Sequence, residues 1–273
     1  MLLTVCLAAP LLLQDAAPED PRAALQKTYH AAYASSDEAA MAKAWRENPT
    51  LILGMFDSDL EAGLAAWEKK AEGHEQKTAE SFSRAVWGAK VASDALAQPI
   101  FHQYANAFTS WDAAERKLFR RGQAAYGEAR QALRAKDGEL ALTRATECVE
   151  LALSLGDWWG AAMGLWAQGA ANEALDKHGE AAVAYSSGRF VNRMLGLAGS
   201  EYRCLLGQAE SLVADGKHVR GHFAANEALA MGKELDDKRG VHAALTLRLR
   251  AEQALGRTDD AKKTEAEIAG LEK

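Results

Sequence analysis

Proline is absent from the second half of this chain. All five prolines (Pro10, Pro18, Pro21, Pro49 and Pro99) lie before residue 100. An interior proline costs a helix about 3 kcal/mol, so its absence from a stretch rich in Ala, Leu, Glu, Lys and Arg predicts long uninterrupted helices. Cysteine is scarce as well. Cys6, Cys148 and Cys204 supply no disulfide framework, and the last two read as small buried apolar residues on separate structural units. Charge of one sign is missing: 38 acidic and 32 basic residues are interspersed, which disfavours a nucleic-acid partner. The densest basic cluster, Arg116, Lys117, Arg120 and Arg121, reads as a solvated helix face. No apolar run is long enough to span a bilayer, so no integral membrane span is expected.

Motifs of chemistry are lacking too. There is no phosphate-binding Gly-rich loop, no Gly-x-Ser-x-Gly elbow, no Cys-x-x-Cys and no His-Glu-x-x-His. His218 and His222 stand four apart, on one face if helical, but zinc needs further ligands, and His218 repeats His178 as a turn residue. No metal, cofactor or catalytic residue is expected.

What the chain has is a period. From Leu133 to Leu271 it repeats in register every 40 residues. Leu155, Leu195 and Leu235 share one column, and Leu165, Leu205 and Leu245 another. Ala141, Ala181, Gly221 and Ala261 form a column that is always small, as do Ala174, Ala214 and Ala254. Such a period marks stacked supersecondary units, none of which buries its apolar face alone. Short polar turns (Lys136–Gly138, Asp176–Gly179, Asp215–His218, Gly256–Thr258) divide each unit into two helices of about 17 residues, rods of roughly 25 Å. Leu245, Leu247 and Leu249 alternate with polar residues as a strand would, but the register and the following Ala251–Leu255 favour helix. The small columns imply helices that cross closely.

Before the repeats, residues 18–110 read as an N-terminal helical region of degenerate repeats. Ser35 with Glu38 and Ser58 with Glu61 have capping-box spacing, which predicts helix starts at both places. Leu51–Phe56 is a short apolar run that its neighbours favour as helix. Further helices are expected over Glu75–Ala95 and from Phe101 onward. Trp45, Trp67, Trp87 and Trp111 recur about once per helix and read as core. Residues 1–17 resemble a secretory leader: Met1–Leu13 is apolar and uncharged, and Gln14 and Asp15 turn polar. Export to the periplasm, cell envelope or medium is the leading expectation, with a cytoplasmic protein as the alternative.

Leu165, Gly169, Glu180-Ala181 and Tyr185 supply large, small, small and aromatic positions at a spacing that resembles the tetratricopeptide repeat family. The Gly156-Asp157-Trp158-Trp159-Gly160 joint is similar to that of the family's longer-helix variants. The resemblance covers residues 111–273 as four hairpins. It implies an all-α, right-handed helical-hairpin solenoid with additional N-terminal helices, and a concave surface lined by the first helix of each hairpin. Carried over, those positions are Gln123, Tyr126 and Arg130; Met163, Trp166 and Glu173; Arg203, Leu206 and Glu210; and Thr246, Arg250 and Gln253. Arginines among aromatic and apolar groups suit a peptide or a partner helix. Trp158 and Trp159, whose counterparts in the next units are Ala198-Gly199 and Lys238-Arg239, form a candidate exposed anchor. The expected role is a non-enzymatic protein-interaction or assembly scaffold. The alternatives are a helical-repeat enzyme with dispersed catalytic carboxylates and a cytoplasmic regulatory repeat domain.

Overall fold

In the computed structural model, which describes residues 20–271, the chain is an all-α solenoid of thirteen helices, each packed on its successor or near neighbour. The leader and Cys6 lie outside the described residues. In chain order the helices are α1 (Pro21–Ser35), α2 (Glu38–Glu47), α3 (Ile52–Lys69), α4 (His74–Leu96), α5 (Ile100–Ser110), α6 (Ala113–Arg134) and α7 (Gly138–Leu155). They continue with α8 (Trp158–Ala174), α9 (His178–Met194), α10 (Ala198–Ala214), α11 (His218–Glu234), α12 (Lys238–Ala254) and α13 (Thr258–Leu271). A 3-10 turn, Pro49–Leu51, joins α2 to α3.

Helices α8 to α12 are each 17 residues long, as the repeat implies. Their ends follow from local chemistry. Gly156 closes α7 in the left-handed region at φ 69°, where a side chain would be strained. Asp157 then caps α8, accepting the Gly160 amide at 2.8 Å. Asp137 and Asp237 cap α7 and α12 in the same way. The strand-like Leu245–Leu247 alternation belongs to α12. Both residues are buried because α12 packs on α10, α11 and α13, so it is covered on opposite faces.

Helix starts in the N-terminal region differ from the sequence reading. Asp37, not Ser35, caps α2, and the Ser35 hydroxyl turns back to the Ala31 carbonyl. Ser58 lies inside α3, bonded to the Met55 carbonyl, because the apolar run Ile52–Phe56 is buried and forms the first turns of that helix. A true capping box forms at α6, between Asp112 and Glu115. Cys148 and Cys204 are buried and unbridged.

Of the two small columns, one packs as expected. Ala141, Ala181, Gly221 and Ala261 are all buried. A Cβ on Gly221 would lie 2.6 Å from Val213 Cγ2 and 3.2 Å from the Val213 amide nitrogen. Ala174, Ala214 and Ala254 are instead exposed final residues of their helices, where high helix propensity accounts for alanine.

The N-terminal helices do not stand apart from the repeats. One core runs from Leu25 through Trp45, Phe56, Phe101 and Phe108 to Leu155, Ala162, Val191 and Leu195. The Trp111 indole donates to the Leu155 carbonyl at 2.9 Å. Of the basic cluster of α6, read as a solvated face, Lys117 is exposed, while the three arginines are engaged by rings and carboxylates of α6 itself and of neighbouring helices. Arg116 lies over the Trp67 ring at 4.5 Å, Arg120 pairs with Glu61 and Glu68, and Arg121 pairs with Glu128 and Glu147. At the same junction Asp57 accepts from the Tyr104 hydroxyl at 2.7 Å. Burial is the main cause pushing Asp57 up to about 7 and the capping Asp157 up to about 6, and Glu61 adds to both.

Two expectations follow from this packing. Gly221→Leu should cost about 1–3 kcal/mol through overpacking against α10; an unchanged melting midpoint would refute the crossing. An unfolded aspartate titrates near ~3.9, so raised carboxyls give the folded chain extra protons. The stability from Asp57 and Asp157 is therefore full below about pH 4 and lost as pH rises through 6 to 7. Asp57→Asn should melt above the parent protein at pH 8, by a margin that shrinks as pH falls below about 7 and vanishes only near pH 4. Parallel melting curves across that range would show that Asp57 is not a costly buried charge.

Candidate functional site

The first helices of the hairpins meet one another: α6 packs on α8, α10 on α12, and α8 more loosely on α10. The alternate set α7, α9, α11 and α13 has no comparable direct contacts. An array whose members touch along one side and separate along the other bends toward the touching side. The inner face is therefore built from α6, α8, α10 and α12.

A cavity of about 330 Å³ opens at the α6–α8–α10 part of this face. It brings together Tyr126 and Arg130 of α6, Met163 and Trp166 of α8, and Arg203 of α10. Trp159, Ala162, Asn192, Ser200 and Cys204 complete the lining. The aromatic walls are fixed from behind. Tyr126 and Trp166 pack on Ala129, Ala145 and Ala167, and Trp166 also on the cluster of Ala181, Tyr185 and Cys204. The Arg130 guanidinium lies 5.6 Å from the Tyr126 ring centroid, and Arg203 donates to the Ser200 hydroxyl at 3.2 Å. Burial raises the Tyr126 phenol, while the Arg130 and Arg203 charges act on it in the opposite direction. Among the described residues, neither arginine pairs with a carboxylate.

A second cavity, about 270 Å³, holds Glu173, Glu210 and Arg250 with His178, Val213 and Ala214. Glu173 is anchored from two helices, by the Tyr185 hydroxyl at 2.7 Å and the Ser211 hydroxyl at 2.8 Å. Burial is the main influence raising its pKa. Tyr185 is itself wedged between helices. A Cβ added at Gly169 or Gly207 would lie 2.6 Å from its ring.

Some residues carried over from the resemblance lie elsewhere. Leu206 lines neither cavity and packs on the core of α10–α12. Gln123 is drawn to the N-terminal junction by Glu61 and Arg120. Trp158 and Trp159 are not a free anchor: both are half-buried against the core shared with the N-terminal helices, and only Trp159 also lines the first cavity. That core fills the space over the α7–α8 joint which the register left open to solvent. The sequence reading missed Asn192, Ser200 and Cys204. The signal was faint, since Asn192 and Ser200 flank the α9–α10 turn and Cys204 reads as ordinary core.

Buried acids elsewhere are held by internal partners. Asp59 binds Arg84, and Glu252 accepts from Thr264 at 2.6 Å and faces His222 at 3.2 Å. The His218–His222 spacing therefore places His222 in a polar contact between helices. Among the described residues no group of three His, Cys, Asp or Glu side chains has the geometry for a metal ion, and no helix is long and apolar enough to cross a membrane. Comparison with protein families and with characterised proteins finds no match to this chain.

Proposed function

We propose that this protein is a non-enzymatic interaction or assembly module that binds a peptide or helix of a partner protein along the inner face of α6, α8, α10 and α12. The observation that carries this reading is the first cavity. Beside Met163 it presents Tyr126 and Trp166, which are held by packed alanines, with Arg130 and Arg203 flanking them; Trp, Tyr and Arg are the residue types that dominate binding energy at protein interfaces. The buried acids Asp59, Asp157, Glu173 and Glu252 are engaged in a cap, an ion pair and hydrogen bonds, which supports binding over acid–base chemistry at those groups. Membership of the longer-helix tetratricopeptide repeat group is part of this proposal. Its support is that the small and aromatic positions that suggested the family pack together, Tyr185 clustering with Ala181 and set against Gly169. Export follows from the leader-like residues 1–17 and is proposed on that ground alone.

The test is quantitative affinity capture from the native cell envelope and, separately, from cytoplasm. The full chain is compared with a Trp166→Ala/Arg203→Ala double variant and with Val183→Ala as a control on an exposed α9 position. The double variant should retain the captured partner at least about tenfold less, equivalent to a loss of about 1.4 kcal/mol, and the control should match the parent. Equal retention by all three would remove the groove from the account. Retention only from cytoplasm would remove export.

A further inference from the structure

This inference rests on the inner groove being a peptide-binding surface, and it concerns the chemistry of what binds. Where helices meet, the chain pairs most of its arginines with carboxylates, Arg116 over the Trp67 ring being set against aromatic faces instead. Arg84 faces Asp59, Arg144 faces Glu128 and Glu147, Arg189 and Arg193 share Glu201 and Glu227, and Arg248 faces Glu252 and Glu267. The first cavity departs from that habit. Two guanidinium groups line it, and none of its lining residues is acidic. The second cavity carries no such imbalance, because Glu173 and Glu210 share it with Arg250.

We infer that the partner segment presents an acidic residue beside an aromatic or large aliphatic one, the carboxylate meeting Arg130 and Arg203 and the apolar side chain seated against Tyr126, Met163 and Trp166. The volume suits such a short determinant, since about 330 Å³ lies at the small end of the roughly 300–1,000 Å³ that ligand sites span. Charge supplies the selectivity. A chain of net charge −6 repels acidic segments in general. The local cation pair overcomes that repulsion only where the carboxylate arrives next to a side chain that fills the aromatic cleft. The arginines then gain charge-assisted hydrogen bonds, which for a bidentate guanidinium–carboxylate pair exceed neutral ones in strength and directionality.

The experiment is selection from a phage-displayed library of random linear peptides against the full-length protein. Enriched sequences are synthesised, and their affinity is measured for the parent, for Arg130→Gln/Arg203→Gln and for Trp166→Ala. Peptides with Asp or Glu adjacent to, or two positions from, a large apolar residue should be enriched. Their affinity should fall at least tenfold in each variant and should weaken as sodium chloride is raised. Affinity for the parent alone must show that salt dependence, which keeps the test decisive if a variant folds poorly. Enrichment of peptides without acids, or affinity indifferent to salt and to the arginine variant, overturns this inference while leaving a peptide groove in place. Failure to enrich any peptide overturns the groove itself. A dimer in sedimentation that the arginine variant dissolves would assign the cleft to a second copy and also overturn the inference.

Discussion

The wedging of the Tyr185 ring between the bare backbones of Gly169 and Gly207 sets the spacing on which the inner face depends. Glycine inside a helix costs roughly 0.5–1 kcal/mol against alanine. An aromatic side chain buries about 150–250 Å², worth an upper bound of about 4–6 kcal/mol at 25 cal/mol per Å². The trade favours the wedge. It holds α8, α9 and α10 in one arrangement, and the Tyr185 hydroxyl fixes Glu173 in place on the groove. The same ring belongs to the cluster on which Trp166 rests, so the aromatic wall of the first cavity is oriented by the same contact. Packing and recognition thus share one residue.

A second constraint comes from the N-terminal helices. A bare solenoid would expose the apolar side of its first units, and here that side is covered by α1 to α5 in a continuous core reaching Val191 and Leu195. The covering is electrostatic at its margin: Arg120 of α6 reaches back to Glu61 and Glu68 on α3. It also encloses Asp57 and Asp157, whose raised pKa values make ionisation at neutral pH a cost to the junction. Trp159 touches both this core and the first cavity, so the junction is in physical contact with the groove.

What could be read from the sequence was what depends on neighbours in the chain. The turns and helix lengths of the repeats follow from the repeating period, reinforced by Asp caps at α7, α8 and α12 and by left-handed Gly156, while α9, α10 and α11 start without a side-chain cap. Local signals also misled. Ser35 and Ser58 have capping-box spacing, yet Asp37 is nearer the start of α2, and the apolar demand of Ile52–Phe56 carries α3 past Ser58. The site was partly legible, because positions on one face of successive first helices converge. Tyr126, Arg130, Met163, Trp166 and Arg203 fall in one cavity, and Glu173, Glu210 and Arg250 in another. Leu206, Trp158 and Trp159 went differently for one reason. Their surroundings are made by contacts distant in sequence, which leave no period to read.

The most direct measurement of the wedge is equilibrium urea unfolding of Gly207→Ala beside Gly127→Ala. Both are glycine-to-alanine changes within helices, but a Cβ at Gly127 meets nothing within 4 Å, whereas one at Gly207 would lie 2.6 Å from the Tyr185 ring. Gly127→Ala should raise stability by about 0.5–1 kcal/mol, as helix propensity alone dictates. Gly207→Ala should lower it despite the same propensity gain. If both substitutions stabilise the protein equally, the ring does not occupy that gap, and the account of the inner face built on it is contradicted.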